Sequence, residues 1–120
     1  MREIKFRAWS KKERYMKTTR QAVNTVVQKF ILDIPDKEDF ILMQYISLKD
    51  KSNREIYEGD IVHVEAVAYG RNMNAVIIWR DGGFWLKWED GYESYVQDWT
   101  KELTESEIIG NIYENPELVR

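Results

Sequence analysis

The chain has no cysteine, only two prolines and a single histidine. Without thiols, disulfide staples and thiolate metal sites are excluded, and the composition suits a reducing cytoplasm. No apolar run exceeds five residues, against about 20 for a membrane-spanning helix, so no membrane role is expected. The opening Met1-Arg2-Glu3-Ile4-Lys5-Phe6 lacks an apolar core of signal-peptide length, so no leader is expected. The six glycines build no phosphate cradle: Asp81-Gly82-Gly83 lies between two strand patterns rather than between a strand and a helix. No serine or threonine occupies a nucleophile elbow. The reading is of a protein that is not an enzyme and carries no cofactor.

Hydrophobic residues make up 43% and charged residues 32%, a balance that folds rather than staying disordered. The aromatic share of 13%, with five Trp and seven Tyr, favours strands. The 120 residues suit one domain over residues 1–120, with a barrel core over approximately 55–113.

Along the chain, Ile4, Phe6 and Ala8 alternate with Lys5, Arg7 and Trp9, the pattern of a half-buried strand. Residues 10–14 read as a polar turn, and Tyr15-Met16 as the start of a return strand. Residues 18–32 are ambiguous. Val23, Val26, Val27, Phe30 and Ile31 have helical spacing, yet β-branched residues dominate, and the balance leans to strand over 25–32. Residues 35–39 are a break. Residues 40–46 predict a buried strand, and 49–54 a polar loop with Ser52-Asn53 at its turn.

Gly59-Asp60 supplies a tight turn directly before Ile61-Val62-His63-Val64, an order seen in small SH3-like barrels. A loop around Gly70-Arg71-Asn72 leads to a strand over 75–79. Asp81-Gly82-Gly83 closes a hairpin, after which Phe84, Leu86 and Trp88 alternate with Trp85 and Lys87. Glu89-Asp90-Gly91 turns into a strand over 92–96. Thr104-Glu105-Ser106-Glu107 has the form of a capping box, but Gly110 and Asn111 favour a strand over 107–113, ended by Asn115-Pro116. The expected fold is mainly β: a small SH3-like or curled antiparallel barrel with additional N- and C-terminal strands and at most one or two short helices.

Chemistry is sparse. His63 lies within a strand and has no evident partner, so a structural or solvent-facing role is favoured over a general base. Glu55, Glu58, Asp60 and Glu65 match no calcium-loop or glycosidase spacing, and Asp60 reads as turn chemistry. In one hairpin Trp79, Arg80, Trp85, Lys87 and Trp88 interleave rings with cations, as single-strand nucleic-acid binders do. Acidic Glu89, Asp90 and Glu93 stand beside them and repel phosphate. The preferred reading makes Trp79 and Trp88 core and Trp85 an anchor against another element or subunit.

Net charge is −3, unevenly spread. Residues 1–20 hold eight basic side chains against Glu3 and Glu13, a balance of +6. Residues 89–120 hold nine acids against Lys101 and Arg120, a balance of −7. The ends neutralising each other, within one fold or between subunits, is preferred to a nucleic-acid role.

Three blocks together resemble the YopX family of bacteriophage and prophage proteins. They are Met1-Arg2-Glu3-Ile4-Lys5-Phe6-Arg7-Ala8-Trp9, the central run from Gln44-Tyr45-Ile46-Ser47-Leu48-Lys49-Asp50 through Lys51-Ser52-Asn53-Arg54-Glu55-Ile56-Tyr57-Glu58-Gly59-Asp60-Ile61-Val62, and Ile109-Gly110-Asn111-Ile112-Tyr113-Glu114-Asn115-Pro116-Glu117-Leu118. The chain departs at Ser10, where the family often has Asp, at Ile46-Ser47 for the usual Thr-Gly, and at Ser52-Asn53 for the common Asn-Gly. The resemblance implies a phage-derived, cytoplasmic, mostly β protein with no catalytic residue to carry over, and it implies homo-oligomers.

The leading expectation is a non-enzymatic, self-associating interaction module of prophage origin, with a host or phage protein as a further candidate partner. The alternative is a nucleic-acid-binding module. For either partner the candidate residues are Arg80, Trp85 and Lys87 on the hairpin and Lys11, Lys12 and Arg14 near the N-terminus.

Overall fold

A computed structural model describes residues 5–17 and 40–119. The expectations for Ile4, for a strand over 25–32 and for a break at 35–39 lie outside the described residues. The chain divides into two compact units, Met1–Tyr45 and Ile46–Arg120. The division falls inside a single strand.

In the first unit β1 (Phe6–Ser10) is central. It pairs antiparallel with β2 (Tyr15–Lys17) on one side and with the first part of β3 (Phe40–Lys49) on the other. The turn between β1 and β2 is closed by Ser10, whose carbonyl accepts the Arg14 N–H at 2.8 Å and whose Oγ accepts the Glu13 N–H at 3.1 Å. Alternation in β1 puts Trp9 on the polar side, but Ala8 and Trp9 are both buried. Paired strands flank β1 on either edge, and the Arg14 guanidinium lies over the Trp9 ring, 5.9 Å from its centroid. A period-two pattern cannot register a neighbour of that kind.

The second unit holds the rest of β3, then β4 (Glu55–Tyr57), β5 (Asp60–Ala66), β6 (Arg71–Arg80), β7 (Gly83–Trp88), β8 (Glu93–Tyr95) and β9 (Glu107–Asn111). β5 to β9 form one antiparallel, curled sheet in the order β8-β7-β6-β5-β9. Its inner face is apolar at every second position: Val62, Val64 and Ala66 on β5, Ala75 and Ile77 on β6, Leu86 and Trp88 on β7. The mainly β, barrel-like expectation holds.

Local chemistry explains the turns. Asp81 and Gly82 both have positive φ, 51° and 80°. A two-residue turn of this hand matches the right-handed twist of its strands, which is why Asp-Gly serves there. Gly83 is already the first residue of β7, paired with Arg80.

One α-helix, α1 (Thr100–Thr104), occurs among the described residues. The apparent capping box begins where this helix ends: Thr104 Oγ1 donates to the Lys101 carbonyl at 2.7 Å, and Ser106 Oγ to the Leu103 carbonyl at 2.7 Å. Fully buried Leu103 docks α1 on the core. Trp79 departs from its expected core place. At the end of β6 it is 51% exposed and meets Phe84 edge-on, with ring centroids 4.9 Å apart. No helix among the described residues is long and apolar enough to cross a membrane.

Candidate partner-binding surfaces

The β6–β7 hairpin carries the best-formed surface feature. Period two places Trp85 and Lys87 on the face opposite Leu86 and Trp88, and burial agrees: Leu86 and Trp88 are core, whereas Lys87 is exposed. On that outer face Trp85 pairs with Ile78 of β6 and Tyr95 of β8. Tyr95 stacks on Trp85 with centroids 3.8 Å apart. The Arg80 guanidinium lies 4.1 Å from the Trp85 centroid. At these distances the Tyr95 ring and the Arg80 guanidinium cannot share one face of the indole, so they cover opposite faces. Trp85 Nε1 donates to the Arg80 carbonyl at 2.9 Å, which fixes the ring's orientation. A stacked aromatic pair contributes about 1 kcal/mol beyond area burial, and a cation over a ring about as much again.

Arg80 is also neutralised. Its guanidinium bridges Asp81 at 3.0 Å and Glu93 at 2.5 Å. Lys87 stands opposite Glu93 in the register. Arg80, Trp85 and Lys87 are therefore brought together on one face, but with their charge largely matched. Tyr95, which the sequence does not single out, and Glu93, which it marks only as an acid that repels phosphate, complete the feature. Their signal is the turn at 89–91, whose register carries Tyr95 back beside Trp85.

Lys11, Lys12 and Arg14 share the exposed turn between β1 and β2 in the first unit. Arg14 adopts a positive φ of 55° there.

His63 has partners after all. The Asn74 amide Nδ2 donates to the Leu118 carbonyl at 2.9 Å, so its Oδ1 faces His63 Nδ1 at 2.7 Å. Nε2 lies 2.9 Å from Asn72 Oδ1 and 3.7 Å from a Glu65 oxygen. The imidazole ties β5 to β6 and, through Asn74, to the C-terminal turn Pro116–Val119. Asp60 bears out its reading as turn chemistry: buried, it accepts the Tyr57 N–H at 2.8 Å. Among the described residues no three acids or histidines are grouped to hold a metal.

The central and C-terminal sequence blocks meet around β9. Asp50 accepts the N–H groups of Ser52 (3.0 Å), Arg54 (2.9 Å) and Ile108 (3.0 Å). Arg54 binds the other side of this arrangement, donating to Asp50 Oδ2 and, at 2.6 Å, to the Ile108 carbonyl. Lys51 N–H donates to the Ser106 carbonyl at 2.9 Å. Further on, Ile112 N–H donates to the Gly59 carbonyl at 2.9 Å, and Asp60 pairs with Asn111. β9 is an edge strand, and these contacts occupy backbone groups that an edge leaves open. The motif residues of these blocks thus clamp the sheet.

These features define a small, mainly β protein whose shared motifs are structural and whose distinctive surface is aromatic. A family model described as YopX protein matches residues 5–120, and the chain belongs to the YopX family. It is similar to protein EF1440 from Enterococcus faecalis, with 26% identity and a TM-score of 0.65 over the whole of both chains. It is also similar in fold to protein yopX from Bacillus subtilis, at 20% identity and a TM-score of 0.62, again over the whole of both chains. Comparison with curated proteins gives no match.

Proposed function

We propose that the chain is a non-enzymatic interaction module of prophage origin that works in the bacterial cytoplasm by associating with further copies of itself. The observation that carries this reading is the indole of Trp85 held between Arg80 and Tyr95 on the outer face of the sheet. Trp, Tyr and Arg are the residues that dominate binding energy at protein interfaces, and a ring already fixed in place loses little entropy on docking. Tyr95 is 45% exposed, so the stack is open to a partner at its rim.

The same geometry weighs against single-stranded nucleic acid on this face. A base needs a free ring face to stack on, and both faces of Trp85 are taken. Phosphate needs unmatched cations, and Arg80 has two carboxylates.

Light scattering tests the reading. The wild-type mass is expected well above 14.4 kDa at micromolar concentration, and W85A/Y95A is expected to lower it. A wild-type monomer would overturn self-association. Retention on single-stranded DNA at low salt, lost on raising salt, would favour the nucleic-acid reading instead.

A further inference from the structure

The three most exposed large hydrophobic residues among those described are Val67 (88%), Tyr92 (69%) and Tyr69 (66%). All three lie on turns at one end of the five-stranded sheet. Val67 and Tyr69 occupy the turn from β5 to β6, and Tyr92 the turn from β7 to β8. The two turns are tied together: the Glu89 N–H donates to the Asn74 carbonyl at 3.0 Å, and Arg71 at the start of β6 pairs with Asp90. Glu65, Glu89 and Asp90 border this end, and Arg71 is the cation placed among them.

This end already binds one cation on its rings. The Arg71 guanidinium lies 4.9 Å from the Trp88 centroid and 5.5 Å from that of Tyr92. Tyr69 leans on Trp99 with centroids 5.1 Å apart, which holds its ring on the turn while leaving most of it open. The end is thus aromatic, acidic at its border and only partly filled.

The chain carries a complementary feature elsewhere. The turn of residues 11–14, Lys11-Lys12-Glu13-Arg14, is exposed, basic and rigidly closed by Ser10. A narrow turn with Lys11 at its tip can set an ammonium group on the open Tyr69 ring beside carboxylates.

We propose that the turn of residues 11–14 in one copy docks on the Val67, Tyr69 and Tyr92 end of a second copy. This rests on the reading of the chain as self-associating, and adds a contact distinct from the Trp85 face. The two surfaces differ, so each copy both gives a turn and offers an end to receive one.

The full chain is tested by light scattering at micromolar concentration, with thermal melting as a check on folding. K11E/K12E and Y69A/Y92A are each expected to weaken association about tenfold. E65K is expected to weaken it less, and mixing E65K with K11E/K12E to give a larger mass than either variant reaches alone. Raising salt from about 0.05 M to about 1 M shortens the screening length severalfold and is expected to dissociate the wild type. A wild-type monomer overturns both this contact and self-association. An oligomer that is insensitive to salt, to K11E/K12E and to Y69A/Y92A, but is broken by W85A/Y95A, overturns this contact alone. Failure of the mixed variants to assemble also counts against it.

Discussion

Asp50 Oδ2 accepts the backbone N–H of Ile108 at 3.0 Å, although the two residues are 58 positions apart. Oδ1 of the same carboxylate closes its own turn through the N–H groups of Ser52 and Arg54. One buried acid therefore fixes the β3–β4 turn and fastens it to the edge of the five-stranded sheet. Its negative charge is met by Arg54, which also reaches the Ile108 carbonyl.

Removing Asp50 orphans three backbone donors at once and takes the counter-charge from Arg54. Asp50→Ala is expected to lower stability by about 3 kcal/mol in urea unfolding. Burial favours the neutral acid. The N–H groups of Ile108, Arg54 and Ser52, with the charge of Arg54, outweigh it and hold the carboxyl below the usual carboxylate range. The folded pKa is thus lower than the unfolded one. The contribution is complete above the unfolded value, near about pH 4, and is lost as pH falls through the folded value. Asp50→Asn should therefore flatten the stability profile below about pH 4 while leaving its shape near neutrality unchanged. An unaltered acid limb would show that Asp50 is not the group responsible.

Gly110 is required by a close approach, not by backbone angle. A Cβ there would lie 2.8 Å from Asn115 Cγ and 3.0 Å from its Cβ. Asn115 cannot easily withdraw, because its Oδ1 accepts the Asn111 N–H and its own N–H donates to the Asn111 carbonyl at 2.8 Å. Asn111 in turn caps the next turn through the N–H groups of Tyr113 and Glu114. Gly110→Ala is expected to cost about 2 kcal/mol. Asn115→Ala in that background should recover about half of the loss, a coupling that a double-mutant cycle reads directly. Additive effects of the two changes would refute the contact.

Which features were legible follows from how far their causes reach along the chain. The turns at Gly59-Asp60 and Asp81-Gly82 need left-handed or Asx geometry, a local demand that composition displays. The shared face of Trp85 and Lys87 follows from a period of two. Other features depend on partners that no window contains. Trp9 is buried although alternation marks its side as polar, with Arg14 over its ring. α1 is five residues long and is held by Leu103, so its own periodicity is too short to read. Asp50 sits in a run of charged and polar residues and looks solvated until Ile108 is placed beside it. Tyr95 becomes visible as the mate of Trp85 only once the register across the 89–91 turn is known.

Ser47 and Asn53 have φ of 67° and 64°. They stand at the two positions where the family resemblance leads one to expect glycine, so the departures fall where the backbone is left-handed. For most L-residues that region costs roughly 1–2 kcal/mol, whereas Asn is among the few that tolerate it. The two sites should therefore respond unequally to the same substitution. Ser47→Gly is expected to stabilise the fold by about 1 kcal/mol, part of the relief being offset by the greater freedom of glycine in the unfolded chain. Asn53→Gly is expected to change stability by a few tenths of a kcal/mol at most. Thermal and urea unfolding of the two single variants rank them directly. A larger gain at Asn53 than at Ser47 would mean that backbone strain is not what separates the two positions.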